Sequence, residues 1–130
     1  MKKILIIEDN DDIARSLAKR MEMANYSVRR LKDGWEALVH LMKKEELPDA
    51  LVLDLMLPGR TGHELLNTIK SVMPDTKIFI FSAHDQSFEA IPKSCVEGFF
   101  LKTAGIENLL TAINDSLGVS REKDIKSTSV

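Results

Sequence analysis

The chain has little of what would mark it as secreted, membrane-spanning or nucleic-acid-binding. It has a single cysteine, Cys95, so it cannot form an internal disulfide, and a reducing, cytoplasmic setting is expected. "MKK" followed by "ILII" imitates the start of a signal peptide, but the apolar run is far too short and ends in acids. No apolar stretch approaches the roughly 18 residues needed to cross a bilayer. Eighteen Lys and Arg against 20 Asp and Glu leave a formal charge of -2, which gives no basic footprint for direct contact with nucleic acid. A Gly-rich phosphate loop is also missing, which disfavours a nucleotide or flavin module. Cys95 lies in "IPKSCVEGFF" with no second Cys or nearby His, so it reads as a small buried hydrophobe rather than a reactive thiol.

The 130 residues are 44% hydrophobic and 29% charged, which suits one globular domain with a single core. Four strand-sized apolar runs, "KILII", "ALVLDL", "KIFIF" and "GFFL", lack polar alternation and so suggest strands buried on both faces of a parallel sheet. A weaker run, "YSVRRL", carries adjacent arginines and suits an edge.

Helical stripes fill the intervals. Ile13, Leu17 and Met21 recur every four residues, widened by Ala14 and Ala18; Leu38, Leu41 and Met42 follow, then Leu65, Leu66, Ile69 and Val72. Ile106, Leu109, Leu110, Ile113 and Leu117 form the last stripe. This reads as β-α five times over, an α/β doubly wound sheet with helices on both faces. The fourth interval, "HDQSFEAIPKSCVEG", contains Pro92, so a helix there is short, kinked or begins close to that proline. Beyond Leu117 the chain turns polar and loses periodicity, giving a domain over 1–118 and a tail or linker start over 119–130.

The first apolar run drives into Glu8, Asp9, Asp11 and Asp12. Two carboxylates about 4 Å apart repel by roughly 4 kcal/mol at an effective dielectric near 20, so the cluster needs a cation, a helix end or open water. Ligands in open α/β sheets bind outside the carboxyl ends of the strands. Those ends carry Glu8 and Asp9, then Asp54, then Ser82 and Ala83, then Lys102. Carboxylates, a hydroxyl and an ammonium suit phosphoryl transfer to an aspartate. Asp9 and Asp54 could hold magnesium, with Glu8 acting through water and Asp54 as the nucleophile. Each residue alone has an ordinary reading as a loop acid, strand end or surface lysine; the joint pattern favours a site. Asp54 is the most telling, because an acid inside "LVLDLML" must line a pocket or be paired. Asp11 and Asp12 directly precede the first helical stripe and read as helix-capping acids.

These residues resemble the receiver domain of two-component response regulators, and the chemotaxis response regulator in particular. The resemblance rests on "ILIIEDN", "DALVLDLMLPGRTG" with Pro58, Gly59 and Gly62, "IFIFSAH" and "GFFLK", in that order over about residues 2 to 118. It implies a flavodoxin-like (βα)5 fold with strand order 2-1-3-4-5. It also implies a cytoplasmic signalling switch in which Asp54 accepts a phosphoryl group from a sensor histidine kinase or phosphotransfer protein. Asp9, Asp54 and the Met56 carbonyl would ligate Mg2+ directly, and Glu8 would do so through water. Lys102 and Ser82, with the backbone N–H groups of Met56 and Ala83, would bind the phosphoryl oxygens. Phe99 would repack as Ser82 moves, although core packing also explains a Phe there. Met56 and His84 would govern water access to the aspartyl phosphate; His84 alone is poorly suited to magnesium and reads as an exposed loop residue.

Two positions depart from the family pattern. Thr103 follows Lys102 where the family usually has Pro, often after a cis bond, which costs about 2.5 to 4 kcal/mol without Pro. Pro92 and "KSCVEG" replace an Ala-Gly-Ala-like turn on the usual signalling surface. The resemblance therefore implies self-phosphorylation and self-dephosphorylation rather than turnover of a free substrate. An unknown protein target is expected downstream, and a phosphorylation-dependent homodimer is compatible with such a family. Competing readings are an aspartate-nucleophile phosphatase, a phosphorylation-independent interaction domain, and the front domain of a longer transcriptional regulator. The phosphatase pattern wants a second Asp two residues after the nucleophile, where this chain has Met56.

Overall fold

Apolar runs without polar alternation demand cover on both faces, and the computed structural model supplies it. It describes residues 1–43, 47–57, 62–84, 89 and 91–118. Strands β1 (Lys3–Ile7), β2 (Ser27–Leu31), β3 (Ala50–Leu53), β4 (Lys77–Ser82) and β5 (Gly98–Leu101) form one parallel sheet in the order β2-β1-β3-β4-β5. Helices α1 (Asp11–Met23) and α4 (Glu107–Ser116) cover one face; α2 (Gly34–Lys43) and α3 (Gly62–Val72) cover the other.

The two-residue period of a strand divides the core between these faces. Ile4 and Ile6, Ala50 and Val52, and Phe79 and Phe81 pack beneath α1 and α4 with Leu17, Met21, Leu109 and Ile113. Leu5 and Ile7, Leu51 and Leu53, and Ile78 and Ile80 pack beneath α2 and α3 with Leu41, Leu65 and Ile69. The arginine-bearing run does lie at an edge: β2 pairs with β1 alone and shows solvent at every second residue. Strand order reverses between β1 and β3, so the crevice beyond their carboxyl ends is where this architecture receives a ligand.

Three local expectations need correction. First, Asn10 caps α1: its Oδ1 accepts from the Ile13 N–H at 3.0 Å, from an extended backbone that Asp11 and Asp12 have already left for the first helical turn. Those two acids meet arginines instead, Asp11 on Arg30 and Asp12 on Arg15. Second, the β-α unit does not recur five times among the described residues, which hold four α-helices. The interval before β5 contains a 3-10 turn, Lys93–Cys95, starting directly after Pro92. A proline has no N–H to donate and fixes its φ, here -60°, so it serves as an entry to a turn and not as a helix interior. Third, Cys95 is only half-buried, because that turn lies at the surface. Pro58, Gly59 and the tail over 119–130 lie outside the described residues.

Lys102–Ala104 forms a second 3-10 turn, and no described peptide bond is cis. The turn ends at Gly105, whose φ of +84° is a conformation that suits glycine. Among the described residues, no helix is long and apolar enough to cross a membrane.

Candidate functional site

β1 and β3 run side by side with Ile7 opposite Leu53, so Glu8 and Asp54 leave the sheet together. The Asp54 N–H donates to the Ile7 carbonyl at 3.0 Å, extending the ladder by one step and holding the two acids at the same level. Carboxylate oxygens of Glu8, Asp9 and Asp54 lie within 4.8 Å of one another. Glu8 and Asp54 are buried and Asp9 is exposed, so the cluster has a closed floor and an open mouth.

Lys102 enters from the end of β5. Its Nζ stands 2.8 Å from Glu8 Oε1 and 2.9 Å from Asp54 Oδ2, with side-chain exposures of 15% for the lysine, 2% for Glu8 and 3% for Asp54. So little solvent leaves the charges poorly screened, and the contacts are correspondingly stronger than a surface pair. The remaining carboxylate oxygens are also held. Asp54 Oδ1 accepts from the Met56 N–H at 3.0 Å, and Glu8 Oε2 accepts from the Asn10 N–H at 3.1 Å.

Burial pushes the Glu8 carboxyl above the ordinary carboxylate range, and neighbouring Asp54 adds to that; the contacts with Lys102 and the Asn10 N–H oppose it. Burial also acts to depress the Lys102 ammonium, but the contacts with Glu8 and Asp54 outweigh it and hold the lysine above its usual value. One ammonium, in contact with two of three clustered carboxylates, leaves the site short of positive charge.

Ser82 ends β4 level with Leu101 of β5, one residue before Lys102. Its side chain is fully buried and its Oγ has no hydrogen-bond partner among the described residues, whereas buried hydroxyls are nearly always bonded. Ala83 and His84 follow at the exposed rim, and Met56 is 60% exposed on the opposite lip. Phe99 sits level with Ile80 on β5, half-buried, and packs on the core beneath α2 and α3. Phe99 thus lies within β5, and the other expected positions lie at or next to the same sheet edge.

Oxygen-only donors, a deficit of positive charge and an open mouth fit a hard divalent cation such as magnesium better than a soft transition metal. Arg30, which sequence reasoning placed only as an edge residue, also reaches this edge. Its Nε donates to the Glu8 carbonyl at 2.9 Å and its Nη2 to the Asp9 carbonyl at 3.2 Å. Nothing in "YSVRRL" signals this, because the contact depends on β2 lying beside β1.

Comparison with known proteins agrees with this geometry. The family model described as response regulator receiver domain matches residues 4–114. Response regulator MprA of Mycobacterium leprae is 31% identical over 124 residues, covering 94% of this chain and 54% of its own length. A cyclic di-GMP phosphodiesterase of Thermotoga maritima is 30% identical over 118 residues, covering 88% of this chain and 30% of its own. The chain therefore spans about half or less of these curated relatives. The BeF3-activated receiver domain of DrrB, a Thermotoga maritima protein, superposes with a TM-score of 0.76 at 26% identity, covering 91% of this chain and 98% of that one. By sequence, fold and the composition of its sheet edge, the chain belongs to the response regulator receiver domain family.

Proposed function

We propose that this chain is a phosphorylation-controlled signalling switch whose phosphoryl acceptor is Asp54. The observation that supports this most is the buried Asp54 carboxylate, held at one oxygen by Lys102 and at the other by the Met56 N–H, beside two further acids and the unpartnered Ser82 hydroxyl. Attack by an Asp54 oxygen on a phosphohistidine forms an acyl phosphate O–P bond as the N–P bond breaks, and the imidazole leaves with a proton from solvent. Lys102 holds one oxygen of the nucleophile and then meets the negative charge of the transferred group; Ser82 supplies a donor to one of its oxygens. The backbone N–H groups of Met56 and Ala83 would do the same, the Met56 N–H exchanging its bond to Asp54 Oδ1 for one to a phosphoryl oxygen.

Asp9, Asp54 and the Met56 carbonyl are the proposed direct ligands of Mg2+, with Glu8 acting through water. When bound, the ion supplies the positive charge that the site lacks and neutralises phosphoryl oxygens. As Ser82 turns toward the phosphoryl group, Phe99 repacks and changes the surface around β5. Met56 and His84, both at the rim, govern access of water to the acyl phosphate. Residues 1–118 form the receiver unit and 119–130 a tail or linker.

The donor is a sensor histidine kinase or a phosphotransfer protein in the cytoplasm, and the readout is altered binding to a protein target or to a second phosphorylated copy. A DrrB receiver domain solved in a BeF3-activated form supports this reading, since BeF3 mimics a phosphoryl group on an aspartate. The test is incubation with phosphoramidate, with and without Mg2+, followed by mass spectrometry. Wild type should gain one hydroxylamine-labile phosphoryl group only with the metal, and Asp54→Asn should gain none. Failure of wild type to be modified, or undiminished modification of Asp54→Asn, overturns the assignment.

A further inference from the structure

Glu8 and Asp9 sit on a short, acid-rich connection between β1 and α1 that repels itself and carries two of the proposed metal-binding carboxylates. Arg30 stands level with Ile6 on the neighbouring strand, so its side chain runs along the α1 face of the sheet toward that connection. There its guanidinium holds three oxygens: the Glu8 carbonyl at 2.9 Å from Nε, the Asp9 carbonyl at 3.2 Å from Nη2, and Asp11 Oδ1 at 2.8 Å from the same nitrogen. The Glu8 N–H donating to the Leu31 carbonyl at 3.1 Å ties the connection to β2 a second time. Arg30 touches neither the carboxylates of Glu8 and Asp9 nor Asp54; it grips the backbone behind them.

We infer that Arg30 is a positioning residue for the divalent-cation site: its planar fork fixes the peptide units of Glu8 and Asp9 so that their carboxylates remain converged on Asp54. The inference rests on the magnesium reading above and goes further by assigning metal affinity to a residue that is not a ligand. A fixed, multi-donor fork is what such a contact requires, and a lysine cannot reproduce it. Bracing saves the ordering that a loose acidic loop would otherwise undergo when it closes on a cation.

The sign of the effect separates this role from simple electrostatics. Arg30 is a cation beside a cation site and also neutralises Asp11, so by charge alone its removal should tighten metal binding. Loss of a brace should weaken it. The experiment is calorimetric titration of the whole chain with Mg2+, and with Mn2+ followed by electron paramagnetic resonance. Wild type, Arg30→Met and Arg30→Lys are compared well below their melting transitions, with melting points recorded in EDTA.

The expected result is a Kd raised about 5- to 10-fold in Arg30→Met and about 3-fold in Arg30→Lys, in which charge is retained and the fork is lost. An unchanged or lowered Kd in Arg30→Met overturns the inference, including the case where only the melting point falls. Should Arg30→Met not fold, Arg30→Lys decides alone: a wild-type Kd there overturns the brace. Wild type that binds neither metal overturns the magnesium reading itself and the inference with it, a result distinct from binding that Arg30 does not affect.

Discussion

The two edges of the sheet are built from similar residues and treat them differently. At the amino edge Asp49, Thr76 and Lys77 each have a structural partner. Asp49 Oδ2 accepts from the Lys3 N–H at 2.8 Å, the buried Thr76 hydroxyl donates to the Pro48 carbonyl at 2.7 Å, and Lys77 faces Glu97. At the carboxyl edge three carboxylates cluster, two of them on one ammonium, and a buried serine hydroxyl has no partner among the described residues. Folding alone does not favour such an arrangement, since an unsatisfied buried polar group costs about 1–3 kcal/mol. The satisfied edge holds the chain together; the unsatisfied one is arranged for groups that arrive later.

Substitutions can break that contrast. Lys102→Met should have the largest effect after loss of Asp54 itself, slowing phosphorylation by phosphoramidate on the order of 100-fold, because a buried donor to the developing charge disappears. A rate within about threefold of wild type would mean that the carboxyl edge does not rely on its one cation. Thr76→Val and Ser82→Ala then form a matched pair, each deleting one buried hydroxyl. The first breaks a bond at the amino edge and should cost about 1–2 kcal/mol in urea unfolding while leaving phosphorylation unchanged. The second removes a buried hydroxyl that has no partner among the described residues, and should leave stability unchanged or raise it by about 1 kcal/mol while slowing phosphorylation several-fold. Reversal of either half would erase the distinction between the edges.

The smallest effect is expected for Glu8→Gln in metal-free buffer. Burial raises the Glu8 carboxyl above its ordinary value of 4.5, so the folded state binds the proton more tightly than the unfolded chain. Its stabilising contribution is therefore full below about 4.5 and is lost as pH rises through the folded-state value. Glu8→Gln removes that loss and should be more stable than wild type by about 1 kcal/mol at neutral pH, with the difference shrinking in acid. Chemical denaturation at a series of pH values measures this. A variant less stable at pH 7 would show that the pairing of Glu8 with Lys102 outweighs the cost of burying it.

Much of this contrast is visible in the sequence because the strands announce themselves. "KILII" and "KIFIF" have no polar alternation, and an acid within "LVLDLML" has few places to go except a strand end in a pocket. The stripes of α1 and α4 recur at helical spacing and pack as that spacing predicts. The details that failed were short-range competitions between similar residues. Asn10, Asp11 and Asp12 can all cap a helix, and the outcome turned on which one kept extended backbone at the end of the β1 connection. The interval with Pro92 did not fail in this way: a short helical element beginning close to that proline was expected, and a 3-10 turn starts directly after it. Cys95, expected to be buried, is only half-buried because it lies in that turn at the surface.

The order of residues by itself determined the strand cores and the buried faces of α1, α3 and α4, while on α2 the stripe missed, for Met42 is exposed and Ala37 is buried. It also determined the acids, hydroxyl and lysine that end the strands, since all of these follow from local periodicity and from the cost of burying a lone charge. Which of them meet was decided only by the tertiary structure. Register between β1 and β3 sets Glu8 beside Asp54, and the turn after β5 brings Lys102 to both, across 48 residues of chain in the case of Asp54. The edge position of β2 turns Arg30 from a surface arginine into a clasp on the acidic connection. Spacing along the chain carries no record of such contacts, because they come from strands that become neighbours only when the sheet forms.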